Sequence, residues 1–152
     1  MNHANAPLSK ACASGYLDMV YTLHRKKFAN VNNTDHCGIT PLAWAAKFNR
    51  IEVMKYLIDQ GAIIDHRSSI ASRTPLQVAC AQGNKCIQAV ALLLQHGASL
   101  ELKCTSDVQE MNGTAFDQAS KCINESKRLL KMLKARIEYL EKQAGRNKML
   151  SP

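Results

Sequence analysis

The sequence is poor in aromatic residues and has no long hydrophobic run. Phe, Trp and Tyr make up 5% of its 152 residues, although 46% are hydrophobic. Alanine and leucine must therefore fill most of one core, which suits closely packed helices. The longest purely apolar run, Ala89 to Leu94, is far too short to cross a bilayer, and no N-terminal stretch has a signal peptide's apolar centre. We expect a cytoplasmic or nuclear protein.

The motifs of common enzymatic and metal chemistry are also absent from the sequence. It has no Gly-x-x-x-x-Gly-Lys phosphate loop, no Gly-x-Ser-x-Gly elbow and no His-Glu-x-x-His helix. The six cysteines form no Cys-x-x-Cys pair, and none of the five histidines has a partner at helical spacing. Reduced thiols that act as small hydrophobic side chains favour a reducing compartment. The sequence predicts no enzyme, no cofactor and no metal site.

What the sequence does contain is a repeat. Pro7, Pro41 and Pro75 are 34 residues apart, and each is followed by leucine and, four residues after the proline, by alanine. A repeat of this length is typical of solenoids, which usually bind other macromolecules.

Each repeat predicts two short helices with defined ends. Thr40 and Thr74 are good N-caps, and the prolines after them suit the first helical position. Glycine or asparagine can adopt the left-handed conformation that ends a helix. The predicted stops are Gly15, Asn49 and Gly83 for the first helices, and Gly61-Ala62 and Gly97-Ala98 for the second helices.

This pattern resembles the ankyrin repeat, in which two helices and a β-turn finger recur about every 33 residues. Residues 38 to 65 match almost throughout, and residues 73 to 101 match with two extra residues near Asn84 to Gln88. The resemblance implies an all-α ankyrin-repeat solenoid with β-turn fingers and an extended C-terminal capping helix. The implied domain is 1–144, with repeats at about 6–34, 35–67, 68–102 and 107–135, the outer two degenerate, and 145–152 as a flexible tail.

One departure from the family concerns the residue after Thr-Pro-Leu. The family usually has histidine there, and it links neighbouring repeats by hydrogen bonds. This chain has Ser9, Ala43, Gln77 and Asp117 instead. We therefore expect its interfaces to depend more on apolar burial than on that interlock.

In ankyrin arrays the fingers and first helices line a concave surface that holds partners. The resemblance thus implies a non-catalytic adaptor or scaffold that binds a protein partner there. Aromatic and arginine side chains dominate binding energy at interfaces, which favours Phe48, Arg73 and Ile39 and leaves Trp44 open between packing and binding. The implied partner-binding residues are His36, Ile39, Trp44, Lys47, Phe48, Ile70, Arg73, Gln82 and Met111.

Positive charge collects in the C-terminal helix. Residues 127 to 148 contain eight basic side chains against Glu138 and Glu141, which gives +6 of the formal net charge of +8. Three interpretations stay open: a cap on the last repeat of a monomer, a coiled-coil dimer through 130–144, and binding of nucleic acid or an anionic membrane. The candidate polyanion-binding residues are Lys127, Arg128, Lys131, Lys134 and Arg136.

The resemblance has two further implications. Asparaginyl hydroxylases modify ankyrin repeats at a Val-Asn pair near the repeat end, and Val31-Asn32 makes Asn32 a candidate site. Such repeats also occur in effectors that bacteria inject into host cells. An origin as an effector of this kind, or as part of a larger protein, stays open.

Overall fold

The helices of the chain form three consecutive pairs, followed by one long helix. The computed structural model describes residues 5–26, 29–69, 72–104, 113–115, 117, 119 and 127–149. The pairs are α1 (Asn5–Ser14) with α2 (Leu17–Arg25), α3 (Pro41–Lys47) with α4 (Ile51–Asp59), and α5 (Pro75–Cys80) with α6 (Ile87–Gln95). The long helix α7 spans Lys127–Met149. Within the described ranges the β-structure is a single isolated bridge between Cys104 and Gly113.

The pairs stack side by side, as the repeat predicted. The first helices form a row in which α3 packs against both α1 and α5, and each first helix packs against its own second helix. The second helices also contact their neighbours, α2 against α4 and α4 against α6. None of the described helices combines the length and hydropathy that a membrane span requires.

The predicted starts of α3 and α5 are confirmed, because the hydroxyl oxygens of Thr40 and Thr74 accept hydrogen bonds from the backbone N–H groups three residues later. Gly15 and Asn49 lie just after α1 and α3, with φ values of 84° and 54°. Asparagine tolerates this left-handed region better than most non-glycine residues, so α3 ends without glycine. The predicted stop at Gly83 comes late, since α5 ends at Cys80 and Gly83, with φ 64°, opens the following 3₁₀ helix.

A 3₁₀ helix of four residues, Gly83–Cys86, lies between α5 and α6 and accommodates the two extra residues of the third unit. A 3₁₀ turn is tighter than an α-turn and is common as a connector. The insertion therefore lengthens the turn without displacing α6, whose Ala89, Val90 and Leu93 are fully buried.

Small and branched apolar residues at equivalent positions fill the core. The leucine that follows each proline is buried. The alanine four residues after each proline is also buried, and its small side chain lets neighbouring first helices approach closely. In the first unit, Ala29 is buried like Ala62 and Ala98, although the glycine is replaced by Phe28, which lies outside the described residues. The equivalent core positions are Leu8, Leu42 and Leu76, with Ala11, Ala45 and Ala79.

Polar side chains also join each unit to the next. Asn32 donates through Nδ2 to the Gly61 carbonyl at 3.0 Å and accepts from the Ile63 N–H at 2.8 Å. Asp65, at the equivalent position one unit later, accepts from the Ser99 N–H at 3.1 Å. One side chain at each repeat end thus fixes the turn of the following unit.

Gln77 makes inter-unit hydrogen bonds at the position after Thr-Pro-Leu, although histidine is missing there. Its Nε2 donates to the carbonyl oxygens of Leu102 at 2.5 Å and Gly113 at 3.2 Å, which belong to the following segment. Its Oε1 accepts from the Thr74 N–H at 2.9 Å and completes a capping box. A primary amide has two N–H donors and a carbonyl acceptor, so glutamine can make all three hydrogen bonds at once.

Helix α7 packs on the last described pair through its first half. Leu133 is fully buried in the common core, and Arg136 donates to the Leu94 carbonyl at 3.3 Å. The helix then continues to Met149, so the predicted end at residue 144 and the tail from Gly145 were wrong. A glycine inside a helix costs only about 1 kcal/mol, which flanking helix formers can offset. The fourth repeat remains a prediction, since much of 107–135 lies outside the described residues.

Candidate partner-binding groove

The finger before α3 is organised by Asp35. Its backbone N–H donates to the Ile39 carbonyl at 3.0 Å, and its carbonyl accepts from the Gly38 N–H at 3.0 Å. Its Oδ1 accepts from the N–H groups of Cys37 at 2.8 Å and Ile39 at 3.1 Å. Gly38 adopts φ 70°, which closes the turn. The finger is therefore a fixed structure rather than an open loop.

Asp35 also holds the tryptophan. The Trp44 indole Nε1 donates to Asp35 Oδ2 at 2.6 Å, which ties the finger to the middle of α3. The indole N–H is thereby satisfied, and a face of the half-buried ring stays available. The edge of Trp44 thus serves the fold while its ring lines a groove, and its part in partner binding stays a prediction.

Trp44 and Phe48 form a parallel aromatic pair. They are four residues apart on α3 and its C-terminal turn, which places them on one face. Their ring centroids are 6.0 Å apart with an interplanar angle of 4°, and Phe48 remains 45% exposed. The Lys47 ammonium lies 5.0 Å from the Trp44 centroid and 5.6 Å from that of Phe48, within cation–π range.

These rings form one wall of an apolar groove of about 370 Å³. The opposite wall is α1, through Ser9 and Ala13, and His36 of the finger lies at one side. The Ser9 hydroxyl is buried and has no hydrogen-bond partner among the described residues. The groove, which we call the Trp44 groove, thus lies between the first two units.

Three cations lie at the Trp44 groove or against the residues that line it. Lys10 is exposed at the edge, and Lys47 covers the aromatic pair. Arg50 donates through Nε to the Ala13 carbonyl at 2.9 Å, which places a third cation beside the α1 wall. The carboxylate of Asp35 is the acidic group of the groove, and both of its oxygens already accept hydrogen bonds.

The structure brings together four of the predicted binding residues and separates the others. His36, Trp44 and Phe48 line the Trp44 groove, with Lys47 over the rings. Ile39 is half-buried in the finger, where its backbone bonds to Asp35. The remaining predicted residues do not line the groove: Arg73 and Gln82 are half-buried in the third unit, whereas Ile70 and Met111 lie outside the described residues.

Sequence reasoning missed Asp35 and Lys10. An aspartate at the start of a finger, three residues before a glycine, is typical of a side chain that bonds to its own turn, so Asp35 could have been found. Lys10 has no such signal. Its place at the groove depends on how α1 packs against α3.

A second aromatic cluster was also missed. On α2 and α4, the rings of Tyr21 and Tyr56 have centroids 5.8 Å apart, and His24 Nδ1 lies 2.8 Å from the Tyr56 hydroxyl. Arg25 covers the Tyr21 ring at 5.1 Å. The pKa of Tyr56 is raised, first by burial and then by Tyr21, so its hydroxyl stays protonated at neutral pH.

One group of side chains in the described part of the chain could approach a metal ion together. It consists of Asp35, His36 and Cys37, whose ligand atoms lie within 4.8 Å of one another. The three are consecutive, and the Asp35 carboxylate already makes the hydrogen bonds of the finger. The turn therefore accounts for this grouping without a metal.

The thiols of Cys12 and Cys86 are poorly suited to nucleophilic chemistry. Cys12 and Cys80 are fully buried in the first helices, as expected of small hydrophobic side chains. Burial raises the pKa of the Cys12 thiol to about 12 and also raises that of Cys86. A thiol must ionise to act as a nucleophile, so both are poorly reactive.

The remaining candidate residues have mixed surroundings. Lys131 and Lys134 are exposed on α7, whereas Arg136 is half-buried, bonds to Leu94 and covers the Tyr139 ring at 5.3 Å. Arg136 thus has a structural role. The side chains of Lys127 and Arg128 lie outside the described part, and the coiled coil through 130–144 stays a prediction.

Asn32 also stays a predicted hydroxylation site, although its amide is engaged with the next unit.

Comparison with known proteins agrees with this architecture. The family model described as ankyrin repeats (3 copies) matches residues 8–104. Similar proteins include Palmitoyltransferase ZDHHC13 of Mus musculus, 36% identical over 95 residues, and Putative ankyrin repeat protein FPV031 of Fowlpox virus, 33% identical over 99 residues. The alignments cover 62% and 64% of this chain but only 15% and 28% of those relatives. With its stacked helix pairs and this match, the chain belongs to the ankyrin-repeat family.

Proposed function

We propose that this chain is a non-catalytic adaptor of the cytosol or nucleus that binds a protein partner through its concave surface, centred on the Trp44 groove. Ankyrin repeats generally mediate protein–protein interactions. The observation that carries the proposal is the aromatic pair beside an apolar groove, with Phe48 45% exposed. The same role applies if the repeats belong to a larger protein or to an effector delivered into a host cell.

The exposed Phe48 ring is an energetic argument for a partner. Its exposed part amounts to roughly half of a large apolar side chain, and covering it would contribute about 2 kcal/mol at 25 cal/mol per Å². Its neighbour Trp44 is held in place by Asp35, so little side-chain freedom is lost on binding. Fixed aromatic side chains of this kind commonly act as interface anchors.

Affinity purification from cytosolic extract tests this proposal. We expect Phe48→Ala to lose the specific partner retained by the wild-type protein, because the groove loses its exposed wall. Tyr139→Ala is the matched control, since it truncates an aromatic ring of similar exposure on α7. Arg73→Ala shows whether the contact extends to the third finger. The proposal fails if Phe48→Ala retains the same partners as the wild-type protein.

The second candidate function is binding of nucleic acid or an anionic membrane by α7. The observation that favours it is the exposure of Lys131, Lys134 and Lys142 along this helix. Binding to duplex DNA or to anionic vesicles should then weaken steeply with salt and with Lys131→Gln plus Lys134→Gln. Partner binding at the Trp44 groove should change only modestly with salt and should be insensitive to those two substitutions.

A further inference from the structure

We propose that the segment held in the Trp44 groove is an acidic peptide, in which a large apolar side chain enters the groove and neighbouring carboxylates face the cations there. This inference rests on the proposed function. It goes further by giving the chemistry of the partner. It depends on the shape of the groove and on the charges around it.

The apolar part of the ligand follows from the walls. Trp44 and Phe48 face Ala13 across a space of about 370 Å³. That volume lies near the lower end of ligand sites, which span roughly 300–1,000 Å³, and it suits one large side chain rather than a helix. An aliphatic or aromatic side chain would cover the exposed ring of Phe48 and displace water from apolar surface.

The acidic part follows from the charges. Lys10 lines the groove, Lys47 lies over its aromatic wall and Arg50 donates to the carbonyl of Ala13, whereas Asp35 is the carboxylate that lines the groove beside them. The oxygens of Asp35 are already bonded to the backbone N–H groups of the finger and to Trp44. A neutral peptide would cover these cations without pairing them, and burying an unpaired charge is costly. Carboxylates beside the apolar residue would instead complement these cations and favour the encounter.

Lys47 has a particular place in this arrangement. Its ammonium lies 5.0 Å from the Trp44 ring and 5.6 Å from the Phe48 ring, so a side chain that packs against these rings would lie near it. A carboxylate adjacent to that side chain in sequence would come close to it. We therefore expect Lys47 to select for acid next to the apolar anchor, and Lys10 to select for acid further along the peptide.

A phage-displayed library of random peptides of one length, selected on the full chain, tests the inference. We expect the wild-type protein to enrich peptides with a large apolar residue flanked by Asp or Glu. Lys10→Gln plus Lys47→Gln should lose the acidic preference and bind the enriched peptides about 5- to 20-fold more weakly, as expected for two partly exposed ion pairs. Lys131→Gln plus Lys142→Gln is the matched control, because it removes two exposed charges from α7. Circular dichroism checks that each variant is folded.

The possible results separate this inference from the proposed function. Enriched peptides that need Phe48 but carry no excess of acidic residues overturn the acidic ligand and leave the groove as a partner site. Acidic peptides that bind the Lys10 and Lys47 double variant unchanged also overturn it. A selection that yields no Phe48-dependent peptide overturns the inference, while purification from extract decides the proposed function separately. Charge reversal with Lys10→Glu plus Lys47→Glu should shift the preference to Lys and Arg.

Discussion

Truncation of Gln77 offers the sharpest test of how the repeats are held together. The residue is 1% exposed, and its amide joins the start of α5 to the segment that follows α6. Gln77→Ala removes the acceptor of the Thr74 N–H and the donor to the carbonyls of Leu102 and Gly113. The backbone N–H of residue 77 still bonds to the Thr74 hydroxyl, so the helix start is weakened but not lost.

The magnitude can be worked out from these three hydrogen bonds. Each contributes about 1 kcal/mol net, and a buried group left without a partner costs a further 1–3 kcal/mol unless water reaches it. We therefore expect Gln77→Ala to lower the free energy of unfolding by about 3 kcal/mol. For a domain of this size, that corresponds to a fall in Tm of roughly 6–12 °C.

Gln77→Glu separates the interlock from the capping box. A glutamate keeps the volume and can still accept from the Thr74 N–H, but it places a carboxylate oxygen against the carbonyls of Leu102 and Gly113. Burial beside those oxygens should raise the folded-state pKa of the new carboxyl above its unfolded value. The variant should therefore be relatively more stable below about pH 4, and should lose that stability as the pH rises through the raised pKa.

Urea unfolding followed by circular dichroism measures both effects. Gln95→Ala is the matched control, because it removes an exposed glutamine side chain from α6 and should change stability by less than about 0.5 kcal/mol. If Gln77→Ala is as stable as Gln95→Ala, the interlock contributes nothing. If Gln77→Glu matches the wild-type protein at neutral pH, the donor to the two carbonyls is not needed.

Four further substitutions probe other features. In Gly38→Ala a Cβ would overlap Ser69 Oγ and lie 2.8 Å from the Ser69 backbone nitrogen, so urea unfolding should show a loss of about 2 kcal/mol or more. Gly97→Ala is the control, because Gly97 has a similar φ but open space around its Cα, and it should lose only about 1 kcal/mol of stability. Equal losses in the two variants would contradict the clash at Gly38. Ser9→Ala removes a buried hydroxyl without a described partner and should leave stability unchanged or raise it by about 1 kcal/mol, whereas a clear loss of stability would reveal a missed partner. Because burial raises the pKa of Cys12 to about 12, stability should fall as the pH rises above about 9, and less steeply in Cys12→Ala; identical pH profiles would refute this.

Much of the fold was predictable because its signals are local. A threonine before proline caps a helix by itself, and a glycine or asparagine ends one by its own backbone freedom, as at Asn49. Two features were predicted less well, for different reasons. Gln77 was undervalued because its two acceptors lie 25 and 36 residues later in the chain. The stop at Gly145 was wrong because a single glycine is a weak helix breaker.

The candidate site shows the same division. The sequence identified Trp44 and Phe48 as candidates, since aromatic side chains dominate binding energy at interfaces. It could not show that Asp35 fixes the indole or that Lys10 reaches the same groove. Arg73, predicted on the third finger, does not line the Trp44 groove, and its part in binding stays a prediction.

The sequence by itself determined the repeating unit and most of its helix boundaries, because these depend on spacing within about 34 residues. Only the tertiary structure decided which side chains of different units meet. The Trp44 groove and the Gln77 interlock exist because packing sets the distance and rotation between successive helix pairs. A shift of one helix turn would separate the same residues, since side chains on a helix face repeat every three to four positions.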